Sequence, residues 1–448
     1  MLRLHDGQAT LWEQMLPDEI RLMGPELERI DALLDDPRFL APFVARIACP
    51  IGRPTIPIDS YLRLMYLKHR HGLGYESLVK EVADSLSWRR FCRIALHKAP
   101  PHPTTLMKLT RRFGPEVVAE LNAALLERAS EGKLLRSRRL RVDTTCVEAD
   151  VRYPTDSGLC AHAVSRLKRA VDGVKEAGLA ARTTFRDARR AAGKAVRRVS
   201  AALSRGGNTR PGVDRQTRVL HDLAAGAAAQ ARRVLANATR ALRQAGRRGR
   251  AQAVRLAEEL GRAERVIGQT ARRLAGEKVI PDRVVSLADP DARPIRRGKP
   301  GRPNEFGYKA SIADTPEGIV VSHQVYAGNP ADVTTLEAAV TGARKAGVRV
   351  ASVYADRAYG NQTADQVLDR LAITDKVIPR QGRADPIERT RGWRRRYRFR
   401  AGCEGRISHL KRRYGMNRSR LKGHDGARTW AAWAILAYNL DTLAIRAR

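Results

Sequence analysis

The sequence has few cysteines, and their number and spacing exclude two kinds of stabilisation. Five occur in 448 residues, and no two form a Cys-x-x-Cys pair. An odd number without that spacing argues against both a disulfide framework and a structural zinc site. We therefore expect reduced cysteines in a protein of the cytosol. They are Cys49, Cys92, Cys146, Cys160 and Cys403.

Targeting and membrane-spanning patterns are also missing. The N-terminus has no basic stretch followed by an apolar one, which a signal peptide would need. The longest apolar run, near Trp430 to Leu440, is too short to cross a bilayer and contains Asn439. The sequence predicts a cytoplasmic protein without a membrane partner.

Negative charge is scarce. The chain has 47 Asp and Glu against 84 Lys and Arg, which gives a formal net charge of +37. Such an excess needs an anionic partner, and nucleic acid is the commonest one. Arginine dominates the basic residues, and its planar fork of donors suits phosphate. A GC-rich coding genome would also raise the arginine content. We expect a DNA-binding, nucleoid-associated protein.

The chain divides by composition into four stretches. Residues 1–135 have the apolar spacing of helices and predict an N-terminal helical DNA-binding domain. Residues 136–160 change to the spacing of strands and begin a catalytic core. Residues 161–280 are basic and rich in alanine, and residues 281–448 return to strands and end in helices.

Three short helices are predicted in the first stretch, over Asp59–His71, Tyr75–Ser85 and Ser87–Ala95. Tight glycine-containing turns between them favour a helix-turn-helix unit. A further helix begins near Pro103. Basic side chains on these helices are candidates for DNA contacts, although solvated helix faces have the same composition. The candidates are Arg89, Arg90, Arg93, Lys108, Arg111 and Arg112.

The stretch 161–280 is expected to be a helical insertion. It holds 28 Lys and Arg against 9 Asp and Glu, and Gly206–Asn208 interrupts it. Its charge favours helices that grip DNA phosphates outside the active site. A low-complexity helical spacer would have the same composition, so both interpretations stay open.

Two aspartates follow predicted strands. Asp143 ends the strand Leu140–Asp143, and Asp356 lies just past the apolar strand Val348–Tyr354, which reads as buried on both faces. Functional groups of α/β sheets gather at the carboxyl ends of strands. If the two strands are neighbours, the two carboxylates converge.

A third acid is predicted on a helix between about Arg395 and Tyr414. At about 100° per residue, four polar side chains fall within a stripe roughly 60° wide, beside an apolar stripe. Surface pairs four residues apart would explain two of them but not the row. The four are Tyr397, Arg400, Glu404 and Lys411.

Three carboxylates without a plausible His or Cys ligand set indicate hard cations, Mg²⁺ or Mn²⁺. Two such ions, held by Asp143, Asp356 and Glu404, would activate a water and stabilise the leaving oxygen of phosphoryl transfer. Arg400 and Lys411 flank Glu404 and would bind the scissile phosphate or its neighbours.

The chain resembles the DDE transposases of bacterial insertion sequences, in the group of families four and five. Their Y-x2-R-x3-E-x6-K signature matches the row from Tyr397 to Lys411. Val142–Thr145 and Tyr354–Gly360 look like their first two acidic motifs, and Phe306–Lys309 and Gly52–Pro54 are similar to further segments. The resemblance covers nearly everything except 1–40 and about 161–290.

The resemblance implies an α/β fold: a ribonuclease-H-like mixed-sheet catalytic core, with an N-terminal helical domain and a helical insertion. It implies metal-dependent cleavage at element ends and strand transfer into target DNA. The partners would be double-stranded terminal inverted repeats and target, bound by a homodimer. A nuclease of the same fold without strand transfer and a catalytically inactive DNA-binding derivative are the alternatives. The long insertion here separates the two aspartates, unlike the insertion of some relatives.

Overall fold

A computed structural model describes residues 1–5, 15, 17, 23–47, 52, 54–204, 209–299 and 302–446. Cys49, Arg53 and Gly206–Asn208 lie outside the described residues. The chain forms two compact units. The first comprises residues 1–150 and 307–448, and the second comprises residues 151–306. The second unit includes the predicted insertion 161–280 and extends beyond it along the chain at both ends, to residues 151 and 306.

The first unit contains an N-terminal group of helices, a mixed sheet and C-terminal helices. The N-terminal helices are α1 (Pro25–Leu34), α2 (Ala41–Val44), α3 (Ile58–Arg70), α4 (Tyr75–Asp84), α5 (Leu86–Phe91) and α6 (Pro103–Glu131). The helix α6 is broken at Gly114, which has a φ of 64° and is followed by Pro115. The predicted short helices between residues 59 and 95 are present, and their bounds shift by one to four residues.

The strands of this unit are β1 (Arg139–Ala149), β3 (Arg302–Asp314), β4 (Val320–Tyr326), β5 (Ser352–Tyr354), β6 (Asp375–Val377) and β7 (Arg418–Ser419). The first residues of β3 belong to the second unit. In the sheet, β1 lies between antiparallel β3 and parallel β5, and β6 follows β5 in parallel. The strand β4 pairs with β3, and β7 pairs with the end of β1. The sheet is therefore mixed, as predicted.

The later helices are α11 (Leu336–Lys345), α12 (Gln362–Arg370), α13 (Arg391–Tyr397), α14 (Ala401–Arg413) and α15 (His424–Arg446). The last of these is the central helix of the unit, because it is buried along most of its length and packs on α6, α3 and β4. Two contacts show how closely the N-terminal helices join it. The Lys68 ammonium lies 4.0 Å from the Trp430 ring, and Asn122 donates a hydrogen bond of 3.1 Å to the Ala432 carbonyl.

The second unit is a helical bundle with a core of its own. Its helices are α7 (Asp156–Glu176), α8 (Arg189–Ser204), α9 (Arg210–Arg240) and α10 (Arg247–Leu274), and it also holds β2 (Arg293–Lys299), which pairs with β3. Buried alanines let the helices approach closely, and leucines and valines such as Leu167, Leu220, Val234 and Leu256 fill the centre. A continuous core of this kind distinguishes a folded bundle from a low-complexity spacer.

A buried ion pair fixes β1 to the neighbouring strand β3. The Arg141 guanidinium donates to the Asp314 carboxylate, with Nε 2.9 Å from Oδ1, and Asp314 is fully buried. Arg406 of α14 adds a second contact of 3.3 Å to the same carboxylate. A buried carboxylate is stable only while its partners remain. Asp314 therefore joins two strands and a helix.

Replacing Arg141 with Met should lower the free energy of unfolding of the first unit by about 3 kcal/mol, because Asp314 stays buried without its closest partner. Arg418→Met is the matched control. Its exposed pair with Glu148, at 3.4 Å, should be worth at most about 1 kcal/mol. All five tryptophans lie outside 151–306, so tryptophan fluorescence in a denaturant titration reports on this unit. Equal losses in the two variants would contradict the assignment.

Candidate active site

The register of the sheet places Asp143 and Asp356 side by side. In the parallel pairing of β1 with β5, Arg141 is the partner of Tyr354. Each aspartate lies two residues further along its own chain, and the backbone of Asp356 is still extended, with φ −80° and ψ 177°. Residues two apart in extended chain share a face of the sheet. Both carboxylates therefore lie on the face that carries Arg141 and Tyr354.

The prediction that Asp143 ends its strand is wrong, because Asp143 lies near the middle of β1. The strand β1 continues to Ala149 because β3 pairs with it as far as Glu148, opposite Gly307. Its parallel neighbour β5 ends at Tyr354. The carboxyl end that matters is thus the end of the parallel pairing, and Asp143 lies just beyond it. The buried strand predicted over 348–354 is reduced to Ser352–Tyr354.

One guanidinium contacts three carboxylates at this edge. An Arg400 Nη2 atom lies 3.3 Å from Asp143 Oδ2 and 3.9 Å from Asp356 Oδ2, and Nη1 lies 2.7 Å from Glu404 Oε1. The acidic side chains range from nearly buried at Asp143 (12% exposed) to open at Glu404 (58% exposed). The structure therefore brings the three predicted acids to one cation, at a place that opens to solvent.

The environment of Arg400 keeps it charged. Burial alone would lower the pKa of Arg400, but the negative charges of Asp143 and Glu404 outweigh burial and raise the pKa above its ordinary value. Its Nε–H is buried and has no hydrogen-bond partner among the described residues. The carboxylates are thus the main stabilising contacts of this guanidinium.

Arg400 reaches the sheet because the helix before it is interrupted. The helix predicted from about 395 to 414 is present, but a 3₁₀ turn at Arg398–Arg400 divides it into α13 and α14. The Phe399 ring in this turn packs edge-on against Tyr354 at 4.9 Å and lies 4.7 Å from the Arg141 guanidinium. Contacts with the sheet therefore override the helical register, and the 60° stripe does not extend unbroken from Tyr397 to Lys411.

Gly402 allows α14 to lie this close to the sheet. A Cβ atom at this position would lie 1.8 Å from Nη1 of Arg141, which is far inside contact distance. A larger residue would displace the Arg141 guanidinium, which also pairs with Asp314, or push α14 away from β1. The sequence offered no sign of this requirement, because it arises only when helix and strand meet.

Tyr397 and Lys411 lie on either side of Arg400 and Glu404 along the chain. The Tyr397 ring stacks on Trp393, with centroids 5.0 Å apart and planes 17° apart. Burial raises the pKa of the Tyr397 phenol. Lys411 is half-buried and lies two turns after Glu404 on α14. Residues seven apart share a helix face, so Glu404 and Lys411 lie on the same side.

The sequence analysis missed a polar network directly behind Asp143. Thr144 faces the other side of the sheet, where its hydroxyl donates to Asp332 Oδ1 at 2.7 Å. Lys309 Nζ lies 2.7 Å from the same carboxylate oxygen and donates to the Pro330 carbonyl. This network fixes β1 at the residue after Asp143. Thr144 and Lys309 lie in segments that carry the family resemblance, but the sequence alone does not connect them with Asp332.

Other acids near β1 have partners of their own. Glu148 and Asp150 lie 3.4 and 3.8 Å from the guanidinium of Arg418, near the far end of the strand from Asp143. They are held by an arginine at the β7 edge and not by the Arg400 cluster.

Two of the predicted DNA contacts have roles in the fold. Arg89 is buried, and its Nη2 donates to three carbonyls of the following turn, those of Ala95, Leu96 and Lys98, at 2.6–3.0 Å. Arg93 pairs with Asp35 and lies 3.4 Å from Asp59. These positions do not support DNA contacts by Arg89 and Arg93. The buried position of Arg89 and the ion pairs of Arg93 could not be predicted from composition, because both depend on where the chain turns after α5.

The remaining cations of this group are exposed. In the part of the chain that the structure describes, none of them takes part in an ion pair, so their charges face solvent. They are Arg90, Lys108, Arg111 and Arg112.

The three carboxylates form a donor set that suits hard cations, although their contacts in this structure are to Arg400. Within the described ranges, no group of three or more His, Cys, Asp or Glu side chains is arranged to hold a metal ion. The donors are nevertheless all carboxylate oxygens, as Mg²⁺ and Mn²⁺ prefer. Because the three carboxylates converge on one cation, a positive charge between them offsets their mutual repulsion. Metal binding here requires the guanidinium to move aside.

The fold places three carboxylates at one edge of a mixed sheet, and clustered carboxylates of this kind suit metal-dependent phosphoryl transfer. Two family models match the chain: a transposase DDE domain over residues 281–440 and a further transposase domain over residues 13–112. An uncharacterized protein, ORF8 of the nfe locus of Rhizobium meliloti, is 34% identical over 154 residues, which cover 33% of this chain and 73% of that protein. No solved structure matches.

The chain belongs to the DDE transposases of insertion sequences. It is a DNA transposase, and its DDE domain implies a ribonuclease-H-like core. DNA is therefore its substrate. Among the described residues, no helix combines the length and apolarity needed to span a membrane.

Removing the Arg400 charge should destabilise the acid cluster. Arg400→Met leaves three carboxylates without their shared cation, and we expect a loss of about 1–3 kcal/mol in the free energy of unfolding. Glu404→Gln should offset part of this loss in the double variant, because the two residues interact. Arg412→Met, on the exposed face of α14, is the control and should have little effect. Additive effects of the Arg400 and Glu404 substitutions would contradict a shared cluster.

Proposed function

We propose that Asp143, Asp356 and Glu404 are the catalytic acids and hold two Mg²⁺ or Mn²⁺ ions. The observation that carries the proposal is their shared contact with Arg400, at 3.3, 3.9 and 2.7 Å. Three acids from two strands and a helix do not meet around one buried charge by chance, since each pays for partial desolvation. The metal ions would supply an activated water and stabilise the leaving oxygen in phosphoryl transfer.

Arg400 has two roles in this proposal. Without metal it neutralises the acids and holds them together. The same oxygens would hold the metal ions, and the guanidinium would then be free to turn toward solvent. Its planar fork then suits a phosphate oxygen next to the scissile bond. Lys411, on the same side of α14 as Glu404, would add a second positive charge along the backbone.

The substrate DNA would be recognised outside the acid cluster. The exposed cations Arg90, Lys108, Arg111 and Arg112 have no competing ion pairs with described residues and would contact backbone phosphates of the terminal inverted repeats. Tyr397, stacked on Trp393, would contact the strand next to the scissile phosphate. Cleavage at element ends followed by joining to target requires two ends, which a homodimer would supply.

Asp143→Asn, Asp356→Asn and Glu404→Gln should each reduce Mg²⁺-dependent cleavage of an element-end duplex by at least about 10²-fold, because each removes an anionic metal ligand. DNA affinity measured in EDTA should change little, since it comes from the cationic surface. Asp150→Asn is the matched control: this carboxylate is also on the first unit but pairs with Arg418. Cleavage by an acid variant at the control's rate would remove that residue from the site.

Joining separates a transposase reaction from simple hydrolysis. With pre-cut ends and a supercoiled target, the wild-type chain should form covalent joint molecules, and the three acid variants should not. Cleavage without any joint product would favour a nuclease of the same fold.

A further inference from the structure

The helix α8 of the second unit has an unusual charge distribution. Its sixteen residues, Arg189–Ser204, contain five Lys or Arg and no Asp or Glu. It packs on α7 and α9, with Ala192, Ala195 and Val199 buried. Small buried side chains hold α8 close to the bundle. Its charges must therefore lie on the other side.

Helical geometry gathers four of these charges into one stripe. At about 100° per residue, Arg190, Lys194, Arg197 and Arg198 fall within an arc of about 100°, centred nearly opposite the buried residues. All four side chains are exposed. They span eight residues, or about 12 Å of helix. We call these four residues the α8 stripe.

The stripe is not neutralised within the described part of the chain, where none of its four members has an ion pair. The neighbouring Arg189, in contrast, pairs with Asp187 at 2.7 Å. The longer helix α10 has eight cations, but it also has acids, and Arg262 pairs with two glutamates of its own helix. Like charges four residues apart on a helix destabilise it by a few tenths of a kcal/mol. The stripe therefore carries a cost in the free protein that an anionic partner would remove.

We infer that the α8 stripe binds the phosphate backbone of double-stranded DNA. This inference rests on the proposed function and assigns a second DNA-binding surface, outside the acid cluster. A 12 Å length of B-DNA carries about seven phosphate charges, enough to neutralise all four cations. Between the four cations, the same arc holds only Ala201, so there is no apolar anchor of the kind that protein interfaces and membranes require. Three of the four residues are arginines, whose forks match phosphate.

The test replaces all four stripe residues with Gln in the full chain. Binding to a labelled random-sequence DNA duplex is measured in EDTA over a range of salt concentrations. Each lost phosphate contact lowers the slope of log affinity against log salt by about 0.9, so the slope should fall by between three and four. Glutamine keeps helical propensity, and circular dichroism verifies the fold.

A second variant removes the same charge from the same unit. Arg215, Arg218, Arg233 and Arg240 are exposed on α9, but they are spread over about 38 Å, with Asp222 among them. Their replacement by Gln should lower the slope by clearly less than the stripe variant does.

The outcomes separate the alternatives. Equal slope changes in the two variants would show a general charge effect and overturn the inference, as would an unchanged slope in the stripe variant. A change of oligomeric state with no change in slope would assign the stripe to a protein contact and would also overturn it. If the wild-type chain bound no DNA in EDTA, the DNA-binding part of the proposed function would fail. In the acid variants of the proposed function, loss of cleavage with a normal salt slope concerns only the acid cluster and leaves the inference about the α8 stripe standing.

Discussion

The contact between Arg400 and three carboxylates is the constraint that explains the surrounding structure. To bring Arg400 to the sheet, the chain gives up helical geometry for one turn, and Phe399 takes the place against Tyr354 that a regular helix could not provide. Gly402 must then lack a side chain. On the opposite face, Thr144 and its partners prevent β1 from shifting. Helix, strand and loop are thus all fixed by one group of opposite charges.

Under the proposed function, this arrangement also explains how acids that bind a metal can lie together without it. Three carboxylates alone would repel each other and open the sheet edge. A guanidinium costs less than an ion to remove, because it remains tethered and can return. The three carboxylates therefore already lie together, although the cation between them can be exchanged.

Much of the fold could be predicted from local patterns, and the failures have a common origin. The helices of the first stretch and the β3–β4 hairpin follow from periodicity, which depends on near neighbours along the chain. The closeness of Asp143 and Asp356 could be predicted from the apolar segments before them, although β1 continues past Asp143. The break before Arg400, the buried position of Arg89 and the Asp332 network were not identifiable. Each depends on contacts between segments far apart in sequence, to which composition and spacing are insensitive. The core of the second unit could not be predicted for another reason. Alanine is common both in low-complexity helices and in tightly packed cores, so its presence does not distinguish the two.

The place where β1 and β3 meet has a consequence for how the protein evolves. Glu148 and Gly307 are direct partners in the sheet, so the chain leaves the first unit and returns to it at almost one point. Apart from β2 and the first residues of β3, everything between them is, for the sheet, one long connection. The entropy of closing a loop grows only with the logarithm of its length, so a long excursion costs little more than a short one. This position in the chain therefore tolerates insertions and deletions. The segment could be lost, lengthened or replaced during evolution without moving Asp143 or Asp356.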